Sequence, residues 1–217
     1  MTADGKTDTI TRSGAIISSD EDVKQIDLVW TEVDAVMVDG RILLENDLRL
    51  TVKAEQLCQE RLQRELSPNL VKVGVVTRVH LRPDSRFLNA GPERVIIFTT
   101  SQTNLKQIDL LEKQGVQVFV MGEQQVDLVL TMHKLTELGI PRMLVEGGGT
   151  SNEPLLWLRL VDEISIYIAP LIFSGVNAPI LARGVCLQHQ EAIQLQLIDV
   201  DMLGDGGILL WYLPIDE

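Results

Sequence analysis

Five short apolar runs, at 33–38, 71–77, 94–100, 116–121 and 142–145, are separated by spacers long enough to hold helices. Runs of that length, rich in Val, Ile and Leu, read as strands buried on both faces. Strands alternating with helices predict a parallel sheet covered on both sides. The spacers carry helix signals of their own. Ser18-Ser19 precedes Asp20-Glu21-Asp22, a cap followed by acids in the first turn, and Val23, Ile26 and Trp30 then recur at helical spacing. Further helices are expected over Ile42–Glu45, 102–113 and 125–138, the last closed by Gly139. Residues 54–70, charged and Gln-rich, read as a surface excursion closed by Ser67-Pro68-Asn69, and 78–86 as a loop. Beyond residue 160 the period changes. Val161 to Ala169 alternates as a strand and stops at Pro170, and 192–201 and 207–213 alternate around Asp205-Gly206-Gly207, a β-hairpin signal. The expected class is α/β, with a mostly parallel central sheet, helices on both faces and an antiparallel C-terminal hairpin. Nothing repeats and no low-complexity linker interrupts the chain, so residues 1–217 read as one domain.

The run at 142–145 leads straight into Glu146 and then Gly147-Gly148-Gly149, followed by Thr150, Ser151, Asn152 and the apolar Leu155-Leu156-Trp157-Leu158. That order predicts a buried strand, a glycine turn and a helix. Glycines permit positive φ and close approach of main chain to a ligand. The first N–H groups of the helix then point at that ligand with a favourable dipole, which suits phosphate oxygens.

With 31 acidic against 19 basic residues the formal charge is −12. Nucleic acid and anionic membrane surfaces both require a positive field, so neither is an expected partner. An anionic small molecule remains compatible if a few Arg and Lys are gathered locally. There is no apolar run of the length a membrane helix needs, and Met1 to Lys6 carries no apolar signal core. Only Cys58 and Cys186 are present, and His80, His133 and His189 are scattered, so neither a disulfide framework nor a metal site is expected. The expected setting is soluble and cytoplasmic.

Val145-Glu146-Gly147-Gly148-Gly149-Thr150, followed by Leu160-Val161-Asp162-Glu163 and Tyr167-Ile168-Ala169-Pro170, resembles the reductase domain of riboflavin biosynthesis, which has the dihydrofolate-reductase-like fold. Asp4-Gly5-Lys6 is similar to that family's early Asp-Gly-Lys turn. The segment from Asp34 to Val52 is similar to its strand, glycine turn and Arg-Leu-Thr-Val stretch. The resemblance covers essentially the whole chain, and the motifs follow the family's order. It implies a homodimer that uses NADPH to reduce the ribosyl group of a phosphorylated pyrimidine to ribityl. A same-fold reductase for a pterin or another carbonyl or imine compound, and a non-catalytic nucleotide-binding paralogue, are the alternatives.

Carried over position by position, the resemblance implies that Glu146 faces the reacting substrate. Gly14, Trp30, Arg49, Leu50 and Lys53 are implied to line the substrate, with Arg49 and Lys53 on its 5′-phosphate. Ile16, Gly40, Arg41, Ile42, Asn46, Thr77 and Arg78 are implied to contact cofactor, with Arg78 suited to the 2′-phosphate. Gly147, Gly148, Gly149, Thr150, Ser151 and Asn152 are implied to hold the pyrophosphate. The chain departs from the family at Asp39 and Ile42, where a glycine and a hydroxyl residue are usual, at Asn46-Asp47-Leu48, where the family has an acidic-Asp-Pro run, and at Trp30, where an arginine is usual. The family's first strand is expected upstream of Met1.

Overall fold

The computed structural model describes residues 1–12, 14–46, 50–52 and 54–215. They form two compact units, Asp27–Gly147 and a second made of Met1–Ile26 with Gly148–Glu217. Helix α1 (Asp20–Trp30) runs from the second unit into the first.

The unit Asp27–Gly147 contains a five-stranded parallel sheet: β1 (Ala35–Asp39), β2 (Val71–Val75), β3 (Val95–Thr99), β4 (Gln117–Val120) and β5 (Met143–Glu146), in the order β4-β3-β2-β1-β5. The two strands with the longest apolar runs are the most deeply buried. Ala35, Val36, Met37 and Val38 of β1, and every residue of β3, are shielded from solvent. Edge strand β4 is partly exposed. Helices α2 (Glu55–Gln63), the short α3 (Arg86–Asn89), α4 (Leu105–Lys113) and α5 (Leu128–Glu137) connect the strands. From β1 to β4 the chain steps in one direction across the sheet, then returns beyond β1 to lay down β5. Right-handed crossovers therefore put α5 on the face opposite α2 to α4, which is the covering on both faces that the sequence predicts. Ser85, Asn104 and Asp127 cap α3, α4 and α5 through their side chains.

Two stretches differ from expectation. Residues 54–70 are more than a surface excursion, because α2 buries Arg61 completely. Its guanidinium donates to the carbonyls of Val33 (2.7 Å), Ser67 (2.7 Å), Asn69 (3.3 Å) and Trp30. A buried cation is tolerated where its hydrogens all find acceptors, and Arg61 gathers four carbonyls from beyond both ends of α2. The loop expected at 78–86 runs into α3, where Phe87 is buried. Lys72, inside β2, ties this helix down: Nζ donates to the carbonyls of Phe87 (2.5 Å) and Ala90 (2.8 Å), and burial lowers its pKa to about 8.

The second unit holds an antiparallel sheet of β6 (Ile164–Ile168), β7 (Gln194–Met202) and β8 (Ile208–Ile215), in the order β6-β8-β7. The predicted hairpin is β7-β8, turning at Gly206 with φ +85°. It forms a sheet with β6 rather than a continuation of the parallel one. One face packs a small core of Tyr167, Ala169 and Leu209 with Ile17, Leu203 and Trp211. Helix α6 (Gly149–Trp157) follows the glycine run. No described helix is long and apolar enough to cross a membrane.

Candidate active site

In an open parallel sheet, ligands sit outside the carboxyl ends of the strands where the direction of winding reverses. Here that point lies between β1 and β5, whose ends are paired at Val38 and Glu146. Glu146 is the last residue of β5 and is only partly exposed. Trp30, at the end of α1, is buried and donates its indole Nε1–H to Glu146 Oε1 at 2.9 Å. Burial pushes the Glu146 carboxyl above the ordinary range. The Trp30 hydrogen bond pulls it back in part, and the charge of Asp27 adds to the rise. The result is an oriented carboxyl that keeps its proton to higher pH than a solvated glutamate does. A general acid needs those two properties.

Along the same edge, β1 runs into a helical turn, Gly40 and Arg41 followed by a π-helical stretch over Ile42–Asn46. Glycine is required at position 40 because a Cβ there would lie 2.8 Å from Val76 Cγ2. Asp39 Oδ1 accepts from Ile42 N (2.9 Å), so the chain's own carboxylate caps this turn, and Arg41 pairs with Glu45 at 2.9 Å. After β2 the carbonyl of Thr77 accepts from Thr100 Oγ1 (2.7 Å) and Thr99 Oγ1 (3.3 Å), which fixes the loop that carries the exposed Arg78. Leu50 is buried in this unit. Arg49 and Lys53 lie outside the described residues, as does the side chain of Asn46.

Beyond Glu146 the glycine run leads into the second unit. The expected left-handed backbone is not what makes glycine necessary at Gly148, which is extended (φ −92°, ψ 175°). Close approach is the reason at Gly149, where a Cβ would lie 2.3 Å from the Ile180 carbonyl. The segment 180–183 lies against this end of α6. Arg183 N donates to Gly149 O (2.8 Å), and Asn152 Nδ2 donates to Leu181 O (2.9 Å). Ser151 Oγ donates to Gly148 O at 2.8 Å, while Thr150 is exposed. The side chains of Ser151 and Asn152 thus shape the helix start, and the main chain and the exposed Thr150 hydroxyl are what this turn has to offer an anion. Gly14 (φ +77°) and the largely exposed Ile16 belong to a separate loop, where Asp8 Oδ2 accepts from Gly14 N at 3.1 Å.

The structure therefore joins Trp30 to Glu146 and lines Gly40, Arg41, Ile42, Thr77 and Arg78 along one edge of one sheet. Sequence reading missed Arg61 and Gln102. Gln102 Oε1 accepts from both Nε and Nη2 of Arg78 (2.8 and 2.6 Å), and no local pattern marks such a residue.

The chain is 33% identical over 203 residues to the 2,5-diamino-6-ribosylamino-4(3H)-pyrimidinone 5′-phosphate reductase of Archaeoglobus fulgidus, covering 94% of this chain and 90% of that protein. It is 34% identical over 210 residues to the protein of the same name from Methanothermobacter thermautotrophicus, covering 96% and 93%. Among solved structures, Acinetobacter baumannii RibD superimposes with a TM-score of 0.79 at 22% identity, over 99% of this chain and 55% of that one. A pyrimidine reductase-like protein from Corynebacterium diphtheriae gives 0.83 at 16% identity, over 100% and 90%. The dihydrofolate-reductase-like fold anticipated above is the one these likenesses carry. The model of the RibD C-terminal domain matches residues 1–209, and the chain belongs to that family.

Proposed function

We propose that this chain is the NADPH-dependent reductase that converts the ribosyl group of a phosphoribosylamino-pyrimidine to ribityl in riboflavin biosynthesis. The substrate is 2,5-diamino-6-ribosylamino-4(3H)-pyrimidinone 5′-phosphate or its deaminated uracil counterpart. The observation that carries the reading is identity of about a third over nearly the full length of two reductases so named.

The donor set on this chain fits a dinucleotide phosphate. Within the unit Asp27–Gly147, Thr77 and Arg78 follow β2 on the edge of the parallel sheet where such ligands bind. When bound, the nicotinamide supplies a hydride to C1′ of the ring-opened sugar imine. Reduction of an imine also consumes one proton, taken up by nitrogen. Glu146 is the group we assign to hold that proton, with Trp30 aligning the carboxyl through Oε1. Trp30 is buried against the carboxyl, Leu50 is assigned to the lining of the substrate, and Arg49 and Lys53 are assigned to the substrate phosphate.

One feature favours the alternative of a nucleotide-binding paralogue without turnover. Asp39 already occupies the start of the turn after β1 and puts a negative charge beside any phosphate there. Nicotinamide absorbance followed with each pyrimidine substrate separates the readings. Oxidation of NADPH with either substrate is the expected outcome. Tight NADPH binding with neither substrate turned over would overturn the reductase assignment.

The proposed assembly is a homodimer, supported by the outer face of the antiparallel sheet. A register shift at Ile198, between Leu197 and Asp199, switches the alternation of β7, so Leu195, Leu197, Val200 and Met202 all share the face of Ile208, Leu210 and Tyr212. Every residue of β7 is exposed, with Leu197 at 48%, Val200 at 46% and Met202 at 86%. A long apolar edge strand of this kind invites pairing with a second copy. Val200→Asp is expected to convert a dimer at micromolar concentration into a folded monomer in sedimentation velocity. A monomeric parent protein, or a dimeric variant, would remove this face from the assembly.

A further inference from the structure

Three loops at the carboxyl edge of the parallel sheet are joined by a single side chain. Gln102, just past β3, accepts through Oε1 from Nε (2.8 Å) and Nη2 (2.6 Å) of Arg78, in the loop after β2. Its Nε2 donates to the carbonyls of Glu123 (2.8 Å) and Gln124 (3.4 Å) and to Gln124 Oε1 (3.3 Å), in the loop after β4. Its own main chain is held by Gln102 N to Thr100 Oγ1 (3.2 Å), and that hydroxyl donates in turn to Thr77 O (2.7 Å). The amide cannot be turned over without setting an NH2 against the guanidinium and a carbonyl oxygen against three others, so its orientation is determined.

A guanidinium has five N–H donors in a rigid fork, and the Gln102 oxygen uses two of them on one side. Among the described residues the Nη1–Nη2 edge is left to receive an anion in two parallel hydrogen bonds. The acceptor is a neutral amide rather than a carboxylate, so Arg78 keeps its full positive charge. The exposed arginine is also held in one orientation before any ligand arrives, which lowers the entropy lost on binding.

We infer that Gln102 is the positioning residue that turns Arg78 into a reader of the ribose 2′-phosphate, and so sets the preference for NADPH over NADH. The inference rests on the cofactor assignment made above. It adds a residue that touches no ligand and acts through Arg78. Replacing Gln102 by Ala frees the arginine to sample solvent. Replacing it by Glu neutralises the arginine and repels the phosphate.

The test measures binding of adenosine 2′,5′-bisphosphate and of 5′-AMP by calorimetry, together with kcat/KM for NADPH and NADH. The parent protein is expected to favour the bisphosphate by about tenfold or more, the scale of one charge-assisted contact. Arg78→Gln is expected to abolish that preference, Gln102→Ala to reduce it several-fold, and Gln102→Glu to abolish it. Affinity for 5′-AMP serves as the internal control. A general structural role for Gln102 predicts equal losses for both nucleotides, and that outcome overturns the inference. So does a preference that Arg78→Gln removes while both Gln102 variants retain it. A parent protein indifferent to the 2′-phosphate overturns the cofactor assignment itself, and the two failures are thereby told apart.

Discussion

Glu146→Gln is expected to lower turnover by about a hundredfold or more, the usual scale of a lost general acid, while the protein folds normally. The substitution keeps an acceptor oxygen for the Trp30 indole, so the 2.9 Å hydrogen bond and the local packing survive. What disappears is the proton. Because burial raises the Glu146 pKa, the carboxyl keeps its proton above the ordinary carboxyl range, and under the proposed role the rate is expected to fall as pH rises through that raised value. The Glu146→Gln variant has no such limb. Trp30→Phe removes the hydrogen bond that partly offsets the rise, so the limb moves to still higher pH.

Stability gives a second readout. Between the unfolded and the raised folded pKa, the folded state holds a proton that the unfolded chain has released. Stability therefore declines as pH rises through that window. The neutral amide escapes the decline, so the Glu146→Gln variant melts at or above the parent temperature under neutral and mildly alkaline conditions. A rate within about threefold of the parent, against the scale expected for general acid catalysis, would falsify the proton-donor role.

Arg61→Met produces the largest loss of stability, about 3 kcal/mol or more, because it strips donors from carbonyls that burial leaves without water. The guanidinium is the common partner of the Trp30, Val33, Ser67 and Asn69 carbonyls. It holds the last turn of α1 to the connection between α2 and β2. Lysine offers a single point of charge in place of a fork, so Arg61→Lys recovers only part of the loss. The comparison that isolates burial is Arg64, three residues on, whose side chain is half exposed and paired with Glu32 at 2.9 Å. Arg64→Met is expected within about 0.5 kcal/mol of the parent, as exposed ion pairs usually are. Urea titrations of the three variants read the difference, and an Arg61→Met midpoint close to that of Arg64→Met would show the clamp to be dispensable. Trp30 sits on the turn that Arg61 holds, so a surviving Arg61→Met protein should also show a disturbed Glu146 pH limb.

Much of the architecture could be read directly. The strands near 35, 71, 95, 117 and 143, the helix from Asp20 to Trp30 and the hairpin about Gly206 all follow from hydrophobic period and turn chemistry. The candidate site was legible where a motif is contiguous, as in Glu146 and the three glycines, and at the ends of predicted strands, as in Thr77 and Arg78. It was not legible at Arg61, which sits in a charged and Gln-rich stretch yet is fully buried, or at Gln102, which has no neighbours that mark it. The glycine run shows a subtler gap. Its position was evident, but Gly149 is required by the close approach of the Ile180 carbonyl, and that carbonyl comes from a distant part of the chain.

The amino-acid order settles which segments are strands and helices, because hydrophobic periodicity reports how often a residue turns towards a core, and that is a local property. The fate of a polar group is different. Glu146 takes its character from an indole 116 residues away, Arg61 from carbonyls on both sides of its helix, and Arg78 from an amide 24 residues on. Desolvation and its compensation depend on which groups the finished packing sets side by side. The raised pKa of Glu146 and the orientation of Arg78 accordingly belong to the folded molecule and cannot be assigned segment by segment.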